Sequence, residues 1–194
     1  MYLTKLTDQT IKVYKTENER LKISGISLDS RKIKKGMLFA VIKENNKYIP
    51  DAIKLGANAV LCKKKYVNSL HKKIKNILVT NDTRLAVAKI AKHFFPYQPK
   101  YISAVTGTNG KTSVVNFLYQ IWKNNNINAA SFGTLGIKYK NVYKSTKLTT
   151  LDSVSLHREL DSLKNKKINY VAMEASSHAL VQKRVDNVKV KFAL

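Results

Sequence analysis

The sequence is poor in cysteine, in acidic residues and in long apolar runs. Its one cysteine, Cys62, excludes an internal disulfide framework and fits a reducing compartment. No apolar run approaches the roughly 18 residues that a membrane-spanning helix needs. The opening MYLTKLTDQT lacks the apolar stretch of a signal peptide. We therefore expect a cytoplasmic protein that does not insert into a membrane.

Acidic residues number 12 against 36 lysines and arginines, so the formal net charge is +24. Such an excess suits a nucleic acid or another polyanion held on a basic face. The lysines are nevertheless spread along the whole chain, which favours a generally lysine-rich composition. Because the sequence shows no aromatic-and-basic recognition motif and no helicase or GTPase base-recognition segment, we expect no nucleic-acid partner.

Apolar residues make up 44% of the chain and recur in short strand-like and helix-like runs, which indicates a globular protein. In the first half, Gly36 marks a turn, Gly56 ends a helix, and Asn81 or Asp82 is a candidate helix cap. The predicted strands are residues 23–28, 37–42, 58–62 and 77–80, and the predicted helices are residues 49–55 and the run after residue 82.

Pro96 and Pro99 mark a linker, so we predict two domains, residues 1–97 and 98–194. After the linker, strands alternate with helices, which favours an α/β domain with a mainly parallel sheet. This second domain is short and ends in a strand-like run, so we expect it to be incomplete. Its predicted elements are strands from residue 101 and at 128–132, 169–174 and 188–194, helices from residue 113 and at 152–164, and a hairpin at 140–141.

A glycine-containing turn joins the strand from residue 101 to the next helix and runs from Thr106 to Ser113, in the letters TGTNGKTS. Glycines let backbone N–H groups turn inward around phosphate oxygens, and the helix start adds its positive dipole. Lys111 is placed to reach the β- and γ-phosphates of a nucleotide, and the hydroxyl of Thr112 to bind Mg²⁺. The general phosphate-loop pattern has a glycine where this chain has Val105. The strand and the helix on either side still favour a phosphate site over a chance lysine.

Glu174 ends a buried-strand pattern that begins at Tyr170. In open α/β sheets, ligands bind beyond the carboxyl ends of the strands. A glutamate after a strand is by itself more often a solvated loop residue. Together with a phosphate loop, Glu174 is a candidate Mg²⁺ ligand.

Four ordered segments resemble the Mur ligase family. The run TGTNGKTS is the form of phosphate loop typical of these ligases and of the related folylpolyglutamate synthetases. Residues 26–39 resemble the N-terminal UDP-binding domain of the ligases that add the third residue and the final dipeptide. Residues 133–136 with 148–150, and residues 173–184, are similar to the branch that adds the third residue.

The resemblance implies a small N-terminal UDP-binding α/β domain, an incomplete central phosphate-loop domain with a mainly parallel sheet, and no C-terminal domain in this chain. It implies that Lys111 and Glu174 are catalytic and that Thr112 and Glu174 bind Mg²⁺. Residues expected to bind ATP are Gly107, Thr108, Asn109, Gly110, Lys111, Thr112 and Ser113. Residues expected to bind the substrate are Leu28 and Ser30 for its uridine nucleotide, and Thr149, Thr150, Ser176, Gln182 and Arg184 for its pyrophosphate, sugar and dipeptide.

The activity that the resemblance implies is an ATP-dependent ligation in peptidoglycan precursor synthesis. It joins UDP-N-acetylmuramoyl-L-alanyl-D-glutamate to a third amino acid, diaminopimelate or lysine, through an acyl phosphate. We expect a monomer that takes this UDP-muramoyl-dipeptide and an amino acid as substrates. The alternatives are the branch that adds the final dipeptide, a nucleic-acid-binding phosphate-loop protein, and a non-catalytic nucleotide-binding remnant.

Several features depart from the family pattern. Residues 42–47 are shorter than the usual glycine-containing loop, so no nucleobase contacts are assigned there. Leu151 replaces the usual proline, which we expect to loosen the loop after Thr150. His178 is expected to form a structural hydrogen bond. The family's later Asp-His segment, carbamylated lysine and C-terminal domain are missing, so we expect this chain alone not to ligate.

Overall fold

Strands and helices alternate through two units of the chain, Met1–Phe94 and Phe95–Leu194. This computed structural model describes residues 1–42, 46–70 and 74–194. Within these ranges no helix is both long enough and apolar enough to cross a membrane. The boundary between the units falls three residues before the predicted division between residues 97 and 98.

The first unit is built on one sheet with the strand order β1-β5-β4-β3-β2. Strands β2 to β5 are parallel, whereas β1 is antiparallel to β5. No strand is predicted at β1, because its sequence IKVYK does not alternate strictly between apolar and polar residues. In the structure, one of its five residues is buried. The predicted strand at 23–28 is too long, since only two of its residues form β2. The bounds are β1 Ile11–Lys15, β2 Ile26–Ser27, β3 Leu38–Ala40, β4 Ala59–Lys63 and β5 Ile77–Thr80.

Among the described residues of this unit, three α-helices accompany the sheet: α1 (Ile49–Lys54), α2 (Val67–Leu70) and α3 (Thr83–Phe94). Asp82 caps α3, because its Oδ1 accepts a hydrogen bond from the Leu85 N–H at 3.0 Å. The core contains apolar side chains of α1 and of β3, β4 and β5, including the buried Cys62. Short 3-10 helices lie at Leu3–Leu6, Ser30–Lys32, Asn46–Tyr48 and Lys64–Tyr66.

The second unit has a six-stranded sheet with the order β11-β6-β10-β7-β8-β9. Strands β11, β6, β10 and β7 are parallel, and β8 and β9 form the predicted antiparallel hairpin. The predicted strand at 188–194 is too long, because only two of its residues form β11. The bounds are β6 Tyr101–Val105, β7 Ala129–Gly133, β8 Gly136–Tyr139, β9 Val142–Lys144, β10 Tyr170–Glu174 and β11 Phe192–Ala193.

Helices cover both faces of this second sheet: α4 (Lys111–Asn124), α5 (Ser153–Asn165) and the short α6 (Ser177–Val181). Three leucines of α5 pack on one face with Ile102, Phe132 and Met173. On the other face, Val115, Leu118 and Trp122 of α4 pack against Val105 and Ala172. The observed mixed α/β architecture with mostly parallel sheets confirms the predicted fold class.

Candidate functional site

The phosphate-loop segment has the predicted strand–loop–helix form. It leaves β6 after Val105 and enters α4 at Lys111, and residues 106–110 are exposed. Gly107 and Gly110 have φ values of 135° and 81°, which side chains other than that of glycine rarely allow. Gly110 is the N-cap of α4 and has no side chain with which to cap it. The first N–H groups of the helix are therefore available to an anion.

Lys111 lies folded over this loop. Its Nζ donates hydrogen bonds to the carbonyl oxygens of Gly107, at 2.5 Å, and of Thr108, at 3.2 Å. The loop thus holds the ammonium group at its own rim, where it is exposed to solvent. A phosphate bound in the loop would offer the same ammonium a stronger, charged acceptor.

Glu174 ends β10 beside this loop and is only 2% exposed. The register of β10 with β6 pairs Glu174 with Val105, the last residue before the loop. The Thr112 hydroxyl donates to Glu174 Oε1 at 3.0 Å. Two residues that the sequence analysis assigned to one metal ion are therefore in direct contact.

The geometry at Thr112 and Glu174 fits one Mg²⁺ ion. Two oxygens bound next to each other on Mg²⁺ at about 2.1 Å are about 3.0 Å apart, which is the separation observed here. Among the described residues, no group of three or more His, Cys, Asp or Glu could hold a metal ion. This donor set therefore fits an ion that takes most of its ligands from phosphate oxygens and water.

Hydroxyl and guanidinium groups expected to hold the substrate lie together next to Glu174. The Thr150 hydroxyl donates to the main-chain oxygen of Glu174 at 2.8 Å and accepts from the Ser176 N–H at 3.1 Å. Arg184 Nη1 donates to the Thr150 carbonyl at 2.8 Å, and Arg184 Nη2 donates to Gln182 Oε1 at 2.8 Å. Hydrogen bonds thus connect Thr150, Ser176, Gln182 and Arg184 in one group.

One expectation about this region is not met. His178, expected to form a structural hydrogen bond, is exposed, and its ring makes no hydrogen bond with any residue that the structure describes. Leu151 packs against the core on the α5 side of the sheet. A looser loop after Thr150 stays a prediction.

Leu28 and Ser30 lie in the first unit, beside a cavity of about 570 Å³ that Tyr48 and Phe39 also line. Asp29 and Arg31 face the same cavity and form a two-point ion pair, with Arg31 Nη2 2.9 Å from Asp29 Oδ2. This pairing with Arg31 holds the pKa of the Asp29 carboxyl below its usual range. The segment 42–47, where no nucleobase contacts were assigned, lies partly outside the described residues.

The chain is similar to known proteins over most of its length. A match to the Mur ligase middle domain covers residues 105–194. This range contains the phosphate loop, Glu174 and the hydrogen-bonded group of Thr150, Ser176, Gln182 and Arg184. A UDP-N-acetylmuramoyl-L-alanyl-D-glutamate–2,6-diaminopimelate ligase of Mesorhizobium japonicum is 41% identical over 179 residues, which are 90% of this chain and 37% of that protein. Residues 105–194 are a Mur ligase middle domain.

Further Mur ligases share sequence or fold with the chain. The protein of the same name from Anaplasma marginale is 39% identical over 175 residues, 88% of this chain and 37% of its own length. A solved structure of a ligase of that name has a TM-score of 0.73 at 27% identity, over 88% of this chain and 35% of the other. A D-alanyl-D-alanyl-adding ligase of Acinetobacter baumannii shares the fold, with a TM-score of 0.50 at 21% identity over 80% and 31% of the two chains. The chain thus spans 37% of the length of its first two relatives.

Within the Mur ligase middle domain, Thr134 is a residue of the candidate site that sequence reasoning missed. Its N–H donates to Glu174 Oε1 at 2.8 Å, and its hydroxyl lies 3.3 Å from Glu174 Oε2 and 3.2 Å from Thr149 Oγ1. Thr134 belongs to the GTLG segment that resembles the family, but the resemblance gave it no role. Its position in that segment was the signal that could have singled it out.

Proposed function

We propose that this chain carries the nucleotide-binding and UDP-muramoyl-dipeptide-binding parts of an ATP-dependent ligase that adds diaminopimelate to UDP-N-acetylmuramoyl-L-alanyl-D-glutamate. The observation that carries the proposal is the contact of Thr112 with the buried Glu174, next to the Thr150 and Arg184 group. Relatives up to 41% identical bear the name of that diaminopimelate ligase, which favours it over lysine as the third residue. The D-alanyl-D-alanyl-adding ligase shares only the fold.

In the first proposed step, the terminal carboxylate of the dipeptide attacks the γ-phosphorus of ATP. A bond forms between the carboxylate oxygen and phosphorus, the bond to the bridging oxygen breaks, and ADP leaves with that electron pair. Both reactants are anions, so they meet only where their charge is offset. Lys111 and the start of α4 provide fixed positive charge, and Mg²⁺ held by Thr112 and Glu174 would supply more.

In the second proposed step, the amine of diaminopimelate attacks the acyl carbon. The amide bond forms, inorganic phosphate leaves, and the amine loses a proton. The residues that we propose to align the dipeptide for both steps are Thr149, Thr150, Ser176, Gln182 and Arg184. Three N–H groups of Arg184 already bond within the group, through Nε, Nη1 and Nη2. Since a guanidinium has five such donors, two remain for a carboxylate or a phosphate of the substrate.

In the first unit, we propose that the uridine nucleotide occupies the cavity beside Leu28 and Ser30. The cavity offers an aromatic ring, that of Tyr48, and a volume of about 570 Å³. Pockets of roughly 300–1,000 Å³ are typical for small ligands. The proposal includes a monomer in the cytoplasm, where the nucleotide substrates are found.

Isothermal titration calorimetry on this chain tests the proposal. We expect binding of ADP with Mg²⁺ and, separately, of the UDP-muramoyl-dipeptide. Arg184→Lys should weaken binding of the dipeptide and leave ADP binding unchanged, whereas Arg158→Lys, elsewhere in the second unit, should affect neither.

Replacing the matching part of the Mesorhizobium japonicum relative by this chain then tests ligation, with diaminopimelate and lysine compared by mass spectrometry. The proposal would be refuted if the chain bound neither ADP with Mg²⁺ nor the UDP-muramoyl-dipeptide.

A further inference from the structure

Three hydrogen-bond donors hold the Glu174 carboxylate. Its Oε1 accepts from the Thr112 hydroxyl and from the Thr134 N–H, and its Oε2 accepts from the Thr134 hydroxyl. The terminal torsion of a glutamate side chain is broad, so one anchor leaves the carboxylate plane free to turn. Thr134 supplies an anchor to each oxygen and therefore fixes the plane.

Gly133 closes the remaining side of the carboxylate. A Cβ atom at this position would lie 2.1 Å from Glu174 Oε1 and 2.7 Å from its Cδ. The backbone just before Thr134 thus passes directly against the carboxylate. This close approach lets the N–H and the hydroxyl of one residue reach both oxygens.

The hydrogen bond from Thr112 to Glu174 cannot persist when both oxygens bind the same cation. A hydroxyl that binds a cation through its lone pair turns its proton away from that cation, so Glu174 loses Thr112 as a donor. The two bonds from Thr134 do not involve the phosphate loop and need not change. These two hydrogen bonds, one from the N–H and one from the hydroxyl of Thr134, would keep the Glu174 carboxylate oriented.

Thr134 also faces the substrate side of the site. Its single hydroxyl proton serves one acceptor, and an ionised carboxylate can only accept. When Thr134 donates to Glu174, it must accept from the Thr149 hydroxyl, 3.2 Å away. Donors then point in one direction, from Thr149 to Thr134 to Glu174.

We propose that Thr134 is a positioning residue that sets the orientation of the Glu174 carboxylate and connects it to Thr149. The inference rests on the proposed function for the role of Mg²⁺, but the orientation itself depends only on the hydrogen bonds above. Groups that orient metal ligands in this way typically change metal affinity roughly 10- to 100-fold when removed. Thr134 acts through Glu174 and need not touch the substrate.

Two substitutions at Thr134 separate its hydroxyl from the rest of the residue, and a third substitution elsewhere serves as the control. Thr134→Val keeps the shape and the N–H and removes only the hydroxyl, whereas Thr134→Ser keeps the hydroxyl. Thr7→Val is the control, because it removes the same kind of hydroxyl from the first unit, where the Thr7 hydroxyl donates to the Thr4 carbonyl at 2.7 Å. Crystal structures of the variants show the carboxylate plane, and calorimetry with ADP at a series of Mg²⁺ concentrations shows the metal dependence.

We expect Thr134→Val to turn the carboxylate and to raise the Mg²⁺ concentration for half-maximal ADP binding by about tenfold. Binding of ADP without Mg²⁺ should not change, and Thr134→Ser and Thr7→Val should match the wild type. An unturned carboxylate in Thr134→Val, or an equal loss in Thr134→Ser, would overturn the inference. A wild-type chain that binds no ADP would instead refute the proposed function, and the crystal structures would still decide whether Thr134 positions Glu174.

Discussion

The Thr112 hydroxyl and the Glu174 carboxylate are 62 positions apart in the sequence and 3.0 Å apart in the structure. The parallel pairing of β10 with β6 produces this contact, because it places the end of one strand beside the loop that follows the other. A small difference in register would move the carboxylate away from the loop. The sheet is therefore part of the site, since it fixes which residues can share one ligand.

Replacing Lys111 by methionine is expected to abolish tight nucleotide binding while leaving the fold intact. The ammonium is exposed, and within the described part of the chain it bonds to the carbonyl oxygens of Gly107 and Thr108 in its own loop. Hydrogen bonds to charged groups contribute about 1.5–3 kcal/mol, so ADP affinity should fall roughly 10- to 150-fold. Calorimetry measures the affinity, and Lys123→Met at the other end of α4 is the control. An equal loss of ADP affinity in both variants would show that the net positive charge of the protein, and not the place of Lys111 in the phosphate loop, determines binding.

Gly133→Ala is expected to destabilise the second unit and to displace Glu174. The new methyl group would lie 2.1 Å from a buried carboxylate oxygen, so either the backbone or the carboxylate must move. Such overpacking typically costs about 1–3 kcal/mol of unfolding free energy. Urea denaturation measures the cost, and Gly25→Ala is the control because its methyl would meet only the flexible Met37 side chain at 3.4 Å. If Gly133→Ala were as stable as the wild type, the backbone or the Glu174 carboxylate would move at little cost in unfolding free energy, which would contradict the prediction.

The ion pair of Asp8 with Lys89 is expected to make the stability of the first unit depend on pH. Lys89 Nζ lies 2.7 Å from Asp8 Oδ2, and this hydrogen bond, with those from Thr10, holds the pKa of the Asp8 carboxyl well below 3.8. A lowered pKa stabilises the folded state above the unfolded value of 3.8, and this contribution is lost as the pH falls towards the folded value.

Asp8→Asn tests this dependence. Because the Asp8 side chain is 39% exposed, we expect the substitution to cost less than about 1 kcal/mol at neutral pH. The difference from the wild type should shrink as the pH falls below about 5. Urea unfolding at neutral and acidic pH measures it, and Lys89→Met should show the same trend. A difference that is constant with pH would contradict the assignment.

Cys62 is expected to resist thiol reagents until the first unit unfolds. The side chain is fully buried, and burial raises its pKa to about 11. Reaction requires an accessible thiolate, which the folded unit provides rarely. Labelling with a chromogenic disulfide at mildly alkaline pH, with and without urea, measures the rate. Rapid labelling in the absence of urea would show that β4 opens without global unfolding of the unit.

Local patterns predicted the parts of the fold and the site that depend on neighbours in sequence. The phosphate loop, the cap of α3 by Asp82 and the strand that ends at Glu174 belong to this class. The edge strand β1 escaped prediction because four of its five residues are exposed, and its pairing with β5 comes from a distant part of the chain. Tertiary pairing of this kind leaves no periodic signal in the strand itself.

The role of Thr134 could not be deduced from local pattern for a related reason. Two of its three contacts are with a residue 40 positions away, and one of those two comes from the main-chain N–H, which every residue but proline possesses. Only the family-like segment around it indicated that the position matters. The site thus depends on residue types, which can be read from the sequence, and also on the position of the backbone, which cannot.

The single tryptophan and the single cysteine of the chain lie in different units. Trp122 packs on the sheet of the second unit, with its ring centroid 5.5 Å from that of Tyr170, whereas Cys62 is in the core of the first. Tryptophan fluorescence, excited where tyrosine does not absorb, therefore follows one unit and thiol labelling the other, in the same unmodified molecule. If the two signals change at different urea concentrations, no single unfolding midpoint describes both units. Stabilisation by a ligand must then be measured separately with Trp122 for the second unit and with Cys62 for the first.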